Sequence, residues 1–410
     1  MHKSARIALI VCAMALGAVS VFAQPLPYED VVRNLRNPDA RARMDALRLL
    51  RDAGYIEATA PIAPLVNDPV DEIQLEAIAT EQSFYLVEDV RAKKRVAFVL
   101  EVRSKGMAQQ AFEQGPLVSW PRIVPAELVD SLLKAVDDEN GRVRIEAMYA
   151  LGVISRAPLG SDAAARLVKA LDHYDPAIRA AAARVAGRLQ VTTAADALIK
   201  AMNDSSPQVR YASMRALGEL REERAVQALT DQFAYYKKGE GAWSALDALA
   251  RIAHASSVPL FKANLTNKDE YFRRASAEGL ARTGDASEIA ELQAAANTEQ
   301  SKMARAAMAF AMQKLGQNYL PRLVDFIATD SLALQIQGYL MELGPSIAPS
   351  LVPLLQEPDG TVRVRVAEVL GAIGTQSLIA ALEPLAKDHD RTMAAAAGNA
   401  IERIKLNSRS

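Results

Sequence analysis

Seven side chains in the middle of this chain have the types and spacing for recognition chemistry: Ile145, Tyr149, Arg184, Tyr211, Arg215, Trp243 and Arg274. They fall one or five residues after a recurrent arginine site, and residues four apart share one helix face. Aromatic rings interleaved with guanidinium groups on a solvated face are the makings of a protein-binding hot spot. The plainer alternative is that Ile145, Tyr211 and Trp243 wedge between neighbouring elements as core. The recurrent arginines are equally two-sided: Arg43, Arg144, Arg179, Arg210, Arg273, Arg305 and Arg363. A ladder of them could hold phosphate. Acids recur beside them, however, at Asp39, Asp138, Asp175 and Asp359, and would cancel a phosphate-attracting field. Salt bridges between neighbouring units are therefore their expected role.

Catalytic chemistry has little to work with. Cys12 is the only cysteine, and the histidines are His2, His173, His254 and His389. So few ligands do not suit a zinc site. There is no glycine-rich phosphate loop and no Gly-x-Ser-x-Gly elbow. The expectation is a chain with no catalytic residue, no metal and no cofactor. His173 and His389 sit in turns, where solvation or capping is the expected role.

The elements that must position these residues repeat. Arg142 to Gly152, Gln208 to Gly218 and Thr361 to Gly371 are near copies of one motif. Taking the first apolar residue of each copy, anchors fall at Ala42, Ile73, Val143, Ile178, Val209, Gly241, Phe272, Ala304, Leu332, Val362 and Met393. Self-similarity at such a period is the signature of a stacked array of small units. Each unit reads as a first helix with apolar pairs, a short acidic turn, and a second helix with apolar residues every three or four positions. Asp175 and Asp359 stand where they can cap the second helix, and Pro176 and Pro207 suit its first turn. Gly152, Gly187, Gly218 and Gly371 fall near its end, where close packing or a break is tolerated.

One interval departs from the period. Ile73 and Val143 are 70 residues apart, room for one unit and about 39 more residues. The extra stretch is either an insertion or a degenerate twelfth unit. It carries Arg91 to Arg95, the apolar run Val96 to Leu100, and Trp120-Pro121.

The motif Asp-x-Asp-Pro-x-Val-Arg-x-x-Ala-x-x-Ala-Leu-Gly resembles the HEAT repeat in its bacterial, phycobilisome-lyase-like subtype, over nearly all of residues 28–405. The resemblance implies an all-α fold, an α-solenoid of about eleven helix pairs in a right-handed superhelix. It also implies that the second helices line the concave side, and that the arginine ties repeats together. Ala242, Ala333 and Ala394 replace that arginine in units six, nine and eleven, which puts the regularity of the stack in question there. Di-iron hydroxylases built on such repeats need His-Glu pairs, and this chain has no His-Glu dipeptide. Eleven units stacked at helix-packing distances would make an arc on the order of 100 Å.

Lys3 and Arg6, the apolar run Ile7 to Val21, and Val21-Phe-Ala23 have the order of a cleavable export signal. The expected organisation is a signal over 1–23, units one and two over 24–84, the insertion or worn repeat over 85–124, units three to eleven over 125–405, and a tail over 406–410. Cys12 would leave with the signal, and no thiol would remain. Loss of Lys3 and Arg6 from the 48 basic residues leaves 46 against 49 acidic, a net charge of −3. That near-neutral balance lacks the electrostatic footprint of a nucleic-acid binder.

The reading is an exported, non-catalytic scaffold, periplasmic or secreted, that binds a protein or extended peptide on its concave face. Two alternatives stay open. One is an enzyme or accessory subunit with a small-molecule pocket between residues 85–124 and the concave face, marked by convergent polar residues around Trp120. The other is an envelope adaptor that touches lipid through Arg91 to Arg95 and Val96 to Leu100.

Overall fold

A computed structural model describes residues 27–86, 106–155 and 159–408. The expected signal over 1–23, with Cys12, lies outside the described residues, as do Arg91 to Arg95 and Val96 to Leu100. The described residues are 77% helical, with no strand among them.

Ten of the eleven anchors lie in the first turn of a second helix, and Leu332 closes the 3-10 turn just before one. These helices run from Ala40–Ala53 through Asp71–Ser83, Gly141–Ile154, Pro176–Arg188, Pro207–Glu219 and Gly239–Ile252. They continue with Glu270–Thr283, Lys302–Lys314, Ala333–Leu343, Gly360–Ile373 and Arg391–Asn407. Their starts follow the capping logic of the sequence. Asp39, Asp175, Asp359 and Asp390 each accept the free N–H two residues on. The first helices are shorter, down to one turn at Ala348–Leu351 in unit ten. Successive second helices therefore form the continuous inner wall, and the buried residues make one core along the array.

Arg43, Arg179, Arg210 and Arg273 each pin their own turn to the next unit. Arg179 donates from Nη1 to the carbonyls of His173 (2.7 Å) and Tyr174 (2.9 Å), and from Nε and Nη2 to both oxygens of Asp204 (2.8 and 2.7 Å). Arg273 repeats this with Asn267, Lys268 and Glu299, and Arg43 with Asn37, Pro38 and Asp68. The acid partners thus open the next unit's turn. They are not the capping acids expected from the sequence, since Asp39, Asp175 and Asp359 are occupied with helix N–H groups. In unit nine, which lacks the arginine, Arg365 of unit ten donates instead to the Ile327 carbonyl (2.6 Å) and to Asp330 (2.5 Å).

The glycines near the ends of second helices mark close approach and not a break. A Cβ on Gly218 would lie 2.7 Å from Ala248 Cα, and one on Gly371 would lie 2.6 Å from Ala400 Cα. Neighbouring backbones touch there, so there is no side chain to move aside. Gly218→Val is expected to cost about 1–3 kcal/mol by overpacking. The check is a urea midpoint well below wild type, against a near-neutral Gly338→Ala control, where a Cβ meets nothing within 4 Å.

Candidate functional site

The inner wall is already occupied, by the chain itself. The helix Met107–Glu113 and a short 3-10 turn at Pro116–Val118 lie between units two and three in sequence. In space they sit on the second helices of distant units. Glu146 accepts the Ala108 N–H (3.1 Å), which ties unit three to the helix's N-terminus, where a carboxylate is favoured. Phe112 packs on Tyr149 with ring centroids 5.1 Å apart, over Gly152, where a Cβ would lie 2.7 Å from its ring. The Arg188 guanidinium stacks on the other side of Phe112 at 4.4 Å and donates to its carbonyl at 3.2 Å. Arg184 lies 3.6 Å from Glu113. The turn then reaches the far end of the array, where Arg403 of unit eleven donates to the carbonyls of Leu117 (3.0 Å) and Ser119. The array therefore curls back on itself around this segment, and the open arc expected from a straight stack is not what forms.

The segment's exit is fixed as well. Trp120 N–H donates to the Tyr85 carbonyl at 2.6 Å, and Leu86 pairs with Ser119 in an isolated bridge. Between segment and wall lies a cavity of about 330 Å³, lined in part by Trp120, Arg122, Ser155, Arg188, Arg403 and Asn407. Convergent polar groups do gather at Trp120, as the small-molecule alternative requires.

The seven residues proposed from the sequence are not brought together as one groove surface. Tyr149 is 3% exposed beneath Phe112, with burial raising its hydroxyl pKa. Arg184 donates to the Tyr149 hydroxyl at 3.3 Å, and Ile145 is half-buried against the core. Arg274 is spent inside an ion-pair network with Asp247 (2.5 Å) and Glu278 (3.4 Å). These four make structural contacts: Tyr149 and Arg184 meet the inner segment, Ile145 the core, and Arg274 its acid partners. Arg215 is exposed and pairs with Glu240 at 3.0 Å.

Tyr211 and Trp243 are half-buried at a different place, the edge formed by the turns. Tyr211 meets Tyr236 edge-on at 5.6 Å, and Tyr235 meets Tyr236 at 5.2 Å. Trp243 stacks on Tyr271 at 4.2 Å and donates from Nε1 to Asp269, the cap of the next second helix (2.8 Å). Tyr235 is 77% exposed and Tyr174, in the matching turn of unit four, is 88% exposed. Sequence reasoning placed Tyr235 and Tyr236 only as a rim. Their adjacency to Tyr211 comes from the unit spacing, which sets turn six beside the start of helix five.

Two histidines accept N–H groups in turns. His173 Nδ1 accepts the Asp175 N–H (3.0 Å), and His254 Nδ1 accepts that of Ser256 (3.3 Å). Burial, with Arg144 and Arg179 nearby, lowers the His173 pKa. Among the described residues no group of three or more His, Cys, Asp or Glu could hold a metal ion. No described helix is long and apolar enough to cross a membrane.

Stacked helix pairs, an inter-unit arginine ladder and an inner wall of second helices define an α-solenoid. The family model for HEAT repeats matches residues 163–236, 238–313 and 341–409, more than half of the chain. The chain belongs to the HEAT-repeat family. No curated protein matches it. Solved structures similar to it include an engineered protein, at 19% identity over 92% of this chain and 98% of that one, with a TM-score of 0.42. The complex of CpcE and CpcF of phycocyanin lyase from Nostoc sp. PCC7120 is 20% identical over 61% of this chain and 97% of that one, with a TM-score of 0.41. Human deoxyhypusine hydroxylase in complex with glycerol is 19% identical over 68% and 96%, with a TM-score of 0.29.

Proposed function

We propose that this chain is an exported, non-catalytic interaction scaffold, and that it takes an extended segment of a partner protein on the aromatic turn edge of units four to seven. A HEAT array is a helical scaffold for protein interaction. One observation carries the face. Three of the exposed large apolar side chains among the described residues, Tyr174, Tyr235 and Tyr271, belong to this edge. Tyr211, Tyr236 and Trp243 back them. Tyrosine and tryptophan are enriched where partners anchor, and a tyrosine combines a large apolar area with a hydroxyl for pairing. Lys237 and Lys238 stand in the same loop, so the segment preferred there carries acidic as well as apolar side chains. The compartment rests on the residue order of 1–23 alone.

Crosslinked affinity purification from the native cell envelope tests both parts. The recovered chain should begin at Gln24 and bring a partner with it. Tyr235→Ser combined with Tyr271→Ser should abolish that capture with helical content unchanged, since both side chains are exposed. Unchanged capture removes the edge from consideration, and a retained N-terminal segment in soluble cytosol removes export.

A further inference from the structure

We propose that the central chamber around Pro116 binds a single-chain fatty carboxylate, with its alkyl tail against Leu117, Val118, Leu334 and Met341 and its carboxylate on Arg251. The chamber is separate from the aromatic edge, and either site can fail without the other.

The chamber has two lobes, each of about 390 Å³. That size falls within the roughly 300–1,000 Å³ of ordinary small-molecule sites. Pro116, Gly338 and Met341 line both lobes, so the two meet there. Pro116 belongs to the 3-10 turn of the inner segment, and Gly338 and Met341 to the second helix of unit nine. A Cβ on Gly338 would meet nothing within 4 Å, so the passage between the lobes is open.

One lobe is apolar. Leu117 and Val118 form one wall, and Leu334 and Met341 the other. Leu334 is 59% exposed, an apolar side chain that the array leaves uncovered. Gln337 and Glu368, two of the polar groups at this lobe, are bonded to each other at 2.6 Å.

The other lobe is cationic. Arg188, Arg251 and Arg282 stand in the last turns of their second helices, where the helix dipole favours a cation, and Arg221 follows the second helix of unit five. The lobe also holds two acids. Glu342 is bridged to Arg282 at 3.0 Å. Glu219 lies over Gly187, where a Cβ would be 2.7 Å from its Oε2, with Arg251 and Arg188 near enough to favour its charge. Arg188, Arg221 and Arg251 thus share one carboxylate, and none of the three is salt-bridged to a described acid. Arg188 is already engaged by the Phe112 ring and carbonyl. Arg221 and Arg251 are exposed, so a ligand can reach them.

An apolar lobe that opens directly into a cationic one fits a molecule with one apolar tail and one anionic end. A planar carboxylate satisfies one guanidinium fork, here that of Arg251. Water and salt screen the remaining exposed charge, so the lobe does not require a second negative charge.

Hexanoate, octanoate and decanoate, each below its micelle concentration, are titrated into the full-length chain by calorimetry. Octanol and octyl phosphate are titrated alongside, and helical content is followed by circular dichroism. One-to-one saturable binding is expected, about four-fold tighter for each added methylene and so roughly sixteen-fold for each step of two carbons. Octanol should bind at least about ten-fold more weakly than octanoate. Arg251→Gln should weaken octanoate about ten-fold and leave octanol unchanged. Gly338→Leu, which fills the passage between the lobes, should weaken decanoate more than hexanoate. No saturable binding, several equivalents bound, or helical content lost on binding overturns the site. Affinity independent of chain length removes the apolar lobe, and octanol binding as tightly as octanoate removes the cationic one; either result overturns the proposal. Tighter binding of octyl phosphate than of octanoate overturns the carboxylate head. If Gly338→Leu does not fold, the chain-length series in the unmodified protein decides.

Discussion

Glu278→Ala is expected to destabilise the protein by about 3–5 kcal/mol, the largest effect of any single side chain on the inner wall. Glu278 is 6% exposed and lies between two arginines. Its Oε1 accepts from Arg274 (3.4 Å) and from the Tyr339 hydroxyl (2.5 Å), and its Oε2 from Arg282 (3.2 Å). Tyr339 belongs to unit nine, so the carboxylate bonds across unit eight. Phe310 of unit eight fills the space by stacking on Tyr339 at 4.3 Å. Removing the carboxylate leaves Arg274 with Asp247 and Arg282 with Glu342 as their carboxylate partners, and strips the Tyr339 hydroxyl of its acceptor. Glu278→Gln keeps the shape and should cost less than half as much.

The same network fixes a pH signature. Burial pushes the Glu278 carboxyl up, but Arg274 and Arg282 outweigh it and hold the group below the usual range. A depressed carboxyl contributes stability that is complete above its unfolded pKa, about 4.3, and that is lost as pH falls through the folded value. The gap in urea midpoint between wild type and Glu278→Gln should thus be full at pH 7 and shrink toward pH 3. A gap of constant size would mean that Glu278 acts by shape and not by charge.

What the sequence discloses follows from the range of each contact. Helix starts, capping aspartates and the arginine-to-turn bonds are local or one unit away, so a repeating pattern records them in unit after unit. Glu278 falls on the right face by the same periodicity. Its partner Tyr339 sits one residue off that row, and nothing local announces a bond that skips a unit. The occupant of the inner wall was hidden for a stronger reason. Phe112 meets Arg188, 76 residues on, and Leu117 meets Arg403, 286 residues on, from a stretch with no repeat to set its register. Tyr149 therefore read as an open groove residue. Trp243 read as either anchor or wedge, and it is in part both, bonded to the next unit's cap yet half-buried at an edge. Arg122, Arg188 and Arg403 gave no signal at all, because convergence from three separated places leaves no spacing to read.

Phe112→Ala should release the inner segment while sparing the array. Phe112 is 7% exposed, and its ring is held between Tyr149 and the Arg188 guanidinium. Deleting a buried phenylalanine ring costs about 3–5 kcal/mol. The helix it belongs to, Met107–Glu113, has two turns and no stability of its own without packing. The cost should therefore appear as local opening, and not as collapse of eleven units that each hold their neighbours. Hydrogen exchange at residues 107–119 should accelerate by two orders of magnitude or more, about 1.4 kcal/mol for each factor of ten. Exchange in Lys302–Lys314, which lines no described cavity with the segment, should stay as in wild type. Tyr149 would become exposed, and its hydroxyl, now raised by burial, should titrate nearer the ordinary tyrosine value. If residues 107–119 keep their protection, the segment is held by its carbonyl contacts to Arg188 and Arg403, and the ring is only filling space. If exchange rises everywhere, the segment is a keystone on which the curl of the whole array depends.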